Sequence, residues 1–319
     1  MNEQVKHWLL EEKEPSIRYR ALTELFDYAA DDEIVITANE KVAVCKNVER
    51  LFARRNVKGL FPHKPEYYGN ATTFVHLKAL AELGITSNDP RIWPIVDWIL
   101  TPGDDKISYY IQKEFDNCYI LDESDLGACR QVDFLSTAVR LGFLHDPRVK
   151  RMIEVFVEKG RFDGGYLCKW KKSNHAGMEP KSCYAATVPA LYLYSVLPVG
   201  YRTGRRYESL INYFTSRNMI YSKIQPKKII ADTRIGLFDG GLSQVLTVAY
   251  ALCKLGLANI PEMDSIWQIL KNASQNDGKY LLEATSSKKA ILTDKPGQPN
   301  KWITLYMLLF EKYRAGCAK

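Results

Sequence analysis

The sequence predicts an all-α protein, an α/α toroid of repeated helical hairpins, and three observations carry that prediction. Apolar runs ending in Gly84, Gly142 and Gly256 are each followed, 21 residues later, by Asp105, Asp163 and Asp277. The glycines are 58 and 114 residues apart, so the second gap is twice 57 and has room for one degenerate copy, which 187–199 with the helix 205–218 supplies. Within each copy the first helix is apolar almost all round and the second carries a single apolar stripe, the signatures of an inner and an outer helix. The last helix, Trp302-Ile-Thr-Leu-Tyr-Met-Leu-Leu-Phe, is nearly all apolar and needs neighbours on both sides, which a closed ring supplies and an open solenoid does not.

In chain order, Pro15–Phe26 places Ile17, Ala21, Leu22, Leu25 and Phe26 on one helical face, with Ser16 as the expected N-cap. A second amphipathic helix covers about 38–55. The copies follow. Their glycines stand where a helix ends in the left-handed region, and Asp89-Pro90 and Asp146-Pro147 stand where the next helix is capped and begun. Ser286–Asn300 reads as a surface loop before the closing helix, Trp302–Tyr313. The whole amounts to about eleven or twelve helices in one domain, 1–319, with 1–58 a HEAT-like N-terminal part and 59–319 the repeats and closing helix.

A hydrophobic content of 46% with 25% charged residues is that of a soluble globular chain. Met1–Ser16 has charges on both sides of a short apolar run and no small-residue cleavage site, and the weakly polar run 184–201 is broken by Pro189, Pro198 and Gly200. The expectation is a cytoplasmic protein without a membrane span. The net charge is +7, and Tyr201–Ile235 holds eight Lys or Arg against Glu208 and Asp232. That segment suits phosphate, nucleic acid or an acidic protein partner; a solvated helix face and loop is the plainer alternative.

Lys159-Gly-Arg-Phe-Asp-Gly-Gly-Tyr166 and Ser274-Gln-Asn-Asp-Gly-Lys-Tyr280 resemble the degenerate Q-x-x-D-G-x-W motif of the squalene cyclase (terpenoid cyclase) and protein prenyltransferase superfamily, in its uncharacterised prokaryotic branch. Tyr stands where that family usually has Trp. The resemblance, over about 60–315, implies an α/α toroid and a prenyltransferase- or cyclase-like binding site for an apolar, isoprenoid-type ligand. The D-x-D-D of the cyclases is absent, Asp122-Glu-Ser-Asp125 lacking the adjacent pair, so the resemblance carries the fold and leaves catalysis open.

Seven cysteines in such a chain read as thiols or metal ligands rather than a disulfide framework. Cys129 and Cys183 open inner helices of successive copies, so their N-terminal ends are expected side by side, with Cys118 and Cys168 in the loops that enter them. Four thiolates at one rim would make a closed structural zinc site, with His175 able to replace one of them; an iron–sulfur cluster and buried thiols are the alternatives.

The starts of the inner helices and their feeding loops line the centre of a toroid. Tyr68, Trp170, Tyr184, Phe238 and Trp302 are the expected aromatic walls of a ligand cavity, and Asp133 and Gln244 are among its polar positions. His76 and Asp239 are the acid–base candidates, although a lone histidine on an apolar helix is more often a core residue. Two functions follow: a toroid binding an apolar ligand, or a non-enzymatic helical scaffold using its basic 201–235 segment.

Overall fold

The computed structural model describes residues 1–61, 73–101, 129–158, 161, 163–166, 182–238, 241–273, 277–285 and 295–316, with the backbone alone at 129–131. Its α-helices are α1 (Glu3–Leu9), α2 (Pro15–Arg20), α3 (Glu33–Ala43), α4 (Lys46–Phe52), α5 (Thr73–Leu83), α6 (Trp93–Leu100), α7 (Cys129–Arg140), α8 (Pro147–Glu158), α9 (Tyr184–Val196), α10 (Gly204–Thr215), α11 (Gln244–Lys254), α12 (Asp264–Asn272) and α13 (Lys301–Gly316). Helix α2 runs on into a π-turn, Ala21–Leu25.

Among the described residues, six helices form the inner ring. Along it α5 packs on α7, α7 on α9, α9 on α11, α11 on α13, and α13 on α2 and its π-turn. The last gap, from α2 to α5, is bridged by Arg20 on Glu82 and by Tyr19 lying against Gly84. The ring is closed, and α13 is buried from Lys301 to Phe310 because it has α11, α2 and α1 around it. The outer helices pack behind it, and one continuous apolar core fills the space between the layers.

The repeated residues have repeated jobs. Gly84, Gly142 and Gly256 have φ of +98°, +89° and +78°, the left-handed conformation that a side chain disfavours. Asp146 caps α8 through Arg148 N (2.9 Å), and Arg148 reaches back to Asp97 of the preceding outer helix (2.8 Å). Arg91 makes the same clamp from Asp89 back to Glu49. In the motif copies, Tyr166 N and Tyr280 N each donate to a threonine one turn into the next inner helix, Thr187 and Thr304, both at 3.0 Å. The carbonyls of the same tyrosines accept from Cys183 N and Asn300 N. The motif therefore staples the end of one hairpin to the next inner helix.

Four expectations need correction. Asp89-Pro90 lies in a turn rather than at a helix start: α6 begins at Trp93 after Ile92, and Asp89 accepts from Arg91 N within the turn. The single helix expected over about 38–55 is two, α3 and α4, broken at Val44–Cys45. Helix α2 begins at Pro15, so Ser16 lies inside its first turn, its hydroxyl buried with no hydrogen-bond partner among the described residues, and is not the cap. The all-helical expectation also omits a small three-stranded sheet, β1 (Gly236–Phe238), β2 (Gly241–Leu242) and β3 (Ala284–Thr285), in which β1 pairs antiparallel with β2 and parallel with β3.

Candidate functional site

Every inner helix sends one or more side chains to a single buried polar cluster. Arg20 donates to both oxygens of Glu24 (2.5 and 3.1 Å), to Glu82 Oε1 (2.5 Å) and to the Tyr306 hydroxyl (2.8 Å). Arg140 takes the other Glu82 oxygen at 2.7 Å and lies over the Tyr192 ring, 5.9 Å from its centre. Tyr306 donates to Glu82, and Tyr250 donates to Glu24. Burial works to push the Glu82 carboxyl up, but the Arg140 and Arg20 charges and the Tyr306 hydrogen bond outweigh it and hold it at about 2. Burial lifts the Tyr192 hydroxyl to about 12. Glu82 is thus an anion across the physiological range, its two oxygens already taken: it organises the ring and has no proton to lend.

This cluster fills the ring beside α2 and α13 and floors a cavity of about 130 Å³ on the other side. The cavity is walled by α5, α7, α9, α11 and the strand before α11. Its polar side holds Lys78, Asp133, Gln244 and Thr247, and its apolar side Val188, Pro189 and Leu242. Lys78 Nζ stands 3.0 and 3.4 Å from the Asp133 oxygens. The lysine stem reaches there across Gly241, where a Cβ would meet Lys78 Cε at 2.7 Å, so the absence of a side chain at 241 makes room for the stem. Pro189 sits inside α9 and has no N–H, so the carbonyl of Ala185, a cavity-lining residue, lacks its i+4 helical donor.

The expected site residues divide sharply. Asp133 and Gln244 line the cavity. His76 does not. Its buried ring stacks on Phe61 (4.7 Å) with Arg54 3.3 Å from Nε2, and two residues along a helix put it on the opposite side from Lys78. Tyr184 also faces outward, edge-on to Phe214 of α10 at 5.6 Å, its hydroxyl buried without a hydrogen-bond partner among the described residues. Phe238 lies under Arg234 (4.8 Å) and is not in the cavity wall. Trp302 does face the ring interior, but on its filled side, 5.5 Å from Arg20. Tyr68, Trp170 and Asp239 lie outside the described residues, Asp239 two positions before the cavity-lining Gly241.

For the metal reading, α7 and α9 do pack side by side and Cys183 immediately precedes α9. Cys118, Cys168, His175 and the side chain of Cys129 lie outside the described residues, among which no group of three His, Cys, Asp or Glu is placed to hold a metal. No helix among the described residues is long and apolar enough to cross a membrane.

The basic segment separates by role. Arg202 and Arg206 bond backbone carbonyls, Arg217 lies over Tyr213 and Arg234 pairs with Asp232. Lys223, Lys227 and Lys228 remain exposed on a turn closed by the Tyr221–Ile229 bridge, with Ile224 66% exposed between them.

The chain is an all-α toroid. No family model and no curated protein matches it. Among solved structures it is similar to one described as glycosyl hydrolase family 88 from Bacteroides vulgatus, at 14% identity over 95% of this chain and 91% of that one, with a TM-score of 0.49. A likeness at that level transfers no activity. The closure of the ring rests on the helix contacts and on the Arg20–Glu82 bridge.

Proposed function

We propose that this chain is a small-molecule-binding toroid whose ligand enters the cavity between α5, α7, α9 and α11. The observation that carries the reading is the convergence there of a charged pair, Lys78 and Asp133, with an apolar wall, Val188, Pro189 and Leu242. A dry cavity of roughly 150 Å³ holds a benzene ring, so about 130 Å³ suits a compact, two-faced ligand. This narrows the isoprenoid expectation: the apolar face remains, and a long chain would have to lie mostly outside. Ala185 is exposed at the rim, so Ala185→Trp is expected to block the cavity without unfolding the ring. In thermal unfolding against amino acids, hydroxy acids, polyols and short isoprenoid alcohols, a compact compound at a hundred times its Kd raises wild-type stability by about 2.7 kcal/mol. The blocked variant shows no such gain. Equal responses in wild type and Ala185→Trp would overturn the reading.

A second reading, the scaffold, is favoured by the exposed Lys223–Ile224–Lys227–Lys228 turn. It is tested with labelled single-stranded and duplex oligonucleotides. Binding that weakens linearly with the logarithm of salt and disappears when the three lysines become glutamate supports a nucleic-acid partner; no binding by wild type retires it.

A further inference from the structure

The charges of the cavity are not all available to a ligand. Both Glu82 oxygens are held by Arg20, Tyr306 and Arg140, and Arg140 is held by Glu82 and the Ala81 carbonyl. Lys78 and Asp133 differ: among the described residues their side chains bond only each other. They are 26% and 33% exposed, so water already solvates the pair and its separation costs little.

A singly charged ligand is poorly matched to such a pair. A carboxylate that drew Lys78 away would stand beside Asp133 with like charge, and an amine on Asp133 would stand beside Lys78. A molecule that carries both charges on groups bonded to one carbon replaces one ion pair by two. We infer, on the reading that the cavity binds a compact ligand, that it takes a zwitterion of the α-amino-acid class, with its carboxylate on Lys78 Nζ and its ammonium on Asp133. An ammonium has three protons to place, and Ala185, which lines the same cavity, lacks the i+4 helical donor for its carbonyl because residue 189 is proline, so that carbonyl is the second acceptor this assignment calls on. Gln244 accepts the Asp232 N–H through its amide oxygen (2.8 Å), which orients its NH₂ group as a further donor for the carboxylate. Val188, Pro189 and Leu242 form the wall for an aliphatic side chain, and because about 130 Å³ is less than the roughly 150 Å³ that encloses a benzene ring, the end of a leucine-sized side chain would project through the cavity mouth.

The test is titration calorimetry with four probes of one shape, namely leucine, 4-methylpentanoate, isopentylamine and the neutral 4-methylpentanol, on wild type, Lys78→Met, Asp133→Asn and Ala185→Trp. Leucine is expected to bind at least about tenfold more tightly than any of the other three, the worth of one extra charge-assisted contact. Lys78→Met should lose that advantage over isopentylamine, and Asp133→Asn the advantage over 4-methylpentanoate; Ala185→Trp should bind none of them. The zwitterion assignment is overturned if leucine does not bind, if a singly charged analogue equals it, or if both variants bind leucine as wild type does. Should the alcohol or a polyol bind best and be lost in Ala185→Trp, the cavity reading stands and the zwitterion assignment falls. Unfolding midpoints of the three variants, expected to remain close to wild type, separate lost contacts from lost structure.

Discussion

Glu82→Ala is expected to destabilise the protein by about 3–5 kcal/mol, the cost of removing one partner from a buried ion pair. The substitution leaves Arg20 and Arg140 in the middle of the ring without the carboxylate they share, and Tyr306 without its acceptor. Because Arg20 lies on α2 and Glu82 on α5, the loss falls where the ring closes. Glu82→Gln keeps the shape but points an amide NH₂ at groups that are themselves donors, so it is expected to recover only part of the loss. Urea unfolding is the measurement: a lower midpoint with an unchanged slope reports lost stability, whereas a smaller slope reports a ring that has opened before unfolding. The same group predicts a pH dependence. The folded carboxyl, at about 2, lies below its ordinary value of 4.5, so its contribution is complete above that ordinary value and is lost as the pH falls from about 4.5 to 2. The contribution amounts to about 3 kcal/mol. In Glu82→Gln that part of the acid transition should be missing. An acid limb identical to wild type would show that Glu82 is not the group being titrated.

The contrast between what could and could not be read from the chain has a physical origin. Gly84, Gly142 and Gly256 were legible because a left-handed helix end leaves few residue choices, and Asp146-Pro-Arg because capping is a local matter; Asp89-Pro-Arg has the same residues but stands in a turn before α6. The Glu82 cluster was not legible. Arg20, Glu82 and Arg140 are separated by about sixty residues at each step and are each ordinary helix residues; ring closure alone brings them together. Asp133 and Gln244 could be placed in the cavity because inner-helix starts feed the ring centre. Tyr184 and His76 were misplaced for the opposite reason. An inner helix is buried all round, so its apolar pattern has no phase and does not say which side faces the axis and which faces the outer layer. Lys78 and Glu82, the two charged residues of the Phe74–Leu83 run and one turn apart, were the signal of the inward face.

Tyr166→Ala should cost about 4 kcal/mol, a large-to-small change at a fully buried aromatic. The ring is stacked between Phe156 (5.4 Å, 10° between planes) and the Arg206 guanidinium, 4.3 Å from its centre. The hydroxyl accepts from Arg206 Nε at 3.1 Å, while Arg206 Nη1 holds the Gly164 carbonyl at 2.8 Å. Alanine therefore opens a cavity and also leaves a buried guanidinium edge without its phenol partner. Tyr166→Phe retains the stack and loses one hydrogen bond, so about 1 kcal/mol is expected. Tyr280→Ala is the internal control. It occupies the same place in the second motif copy and makes the same backbone bonds to Thr304 and Asn300, but its hydroxyl meets the exposed side of Glu311 rather than a buried arginine. Its loss should be smaller than that of Tyr166→Ala, with equal denaturant slopes for the two variants. If the two alanine variants cost the same, the backbone staple common to both copies is what stabilises the junction. If Tyr166→Ala costs more by about 1 kcal/mol or above, the expected result, the Phe156–Tyr166–Arg206 stack holds α8, the motif loop and α10 together, with the backbone bonds setting only its register.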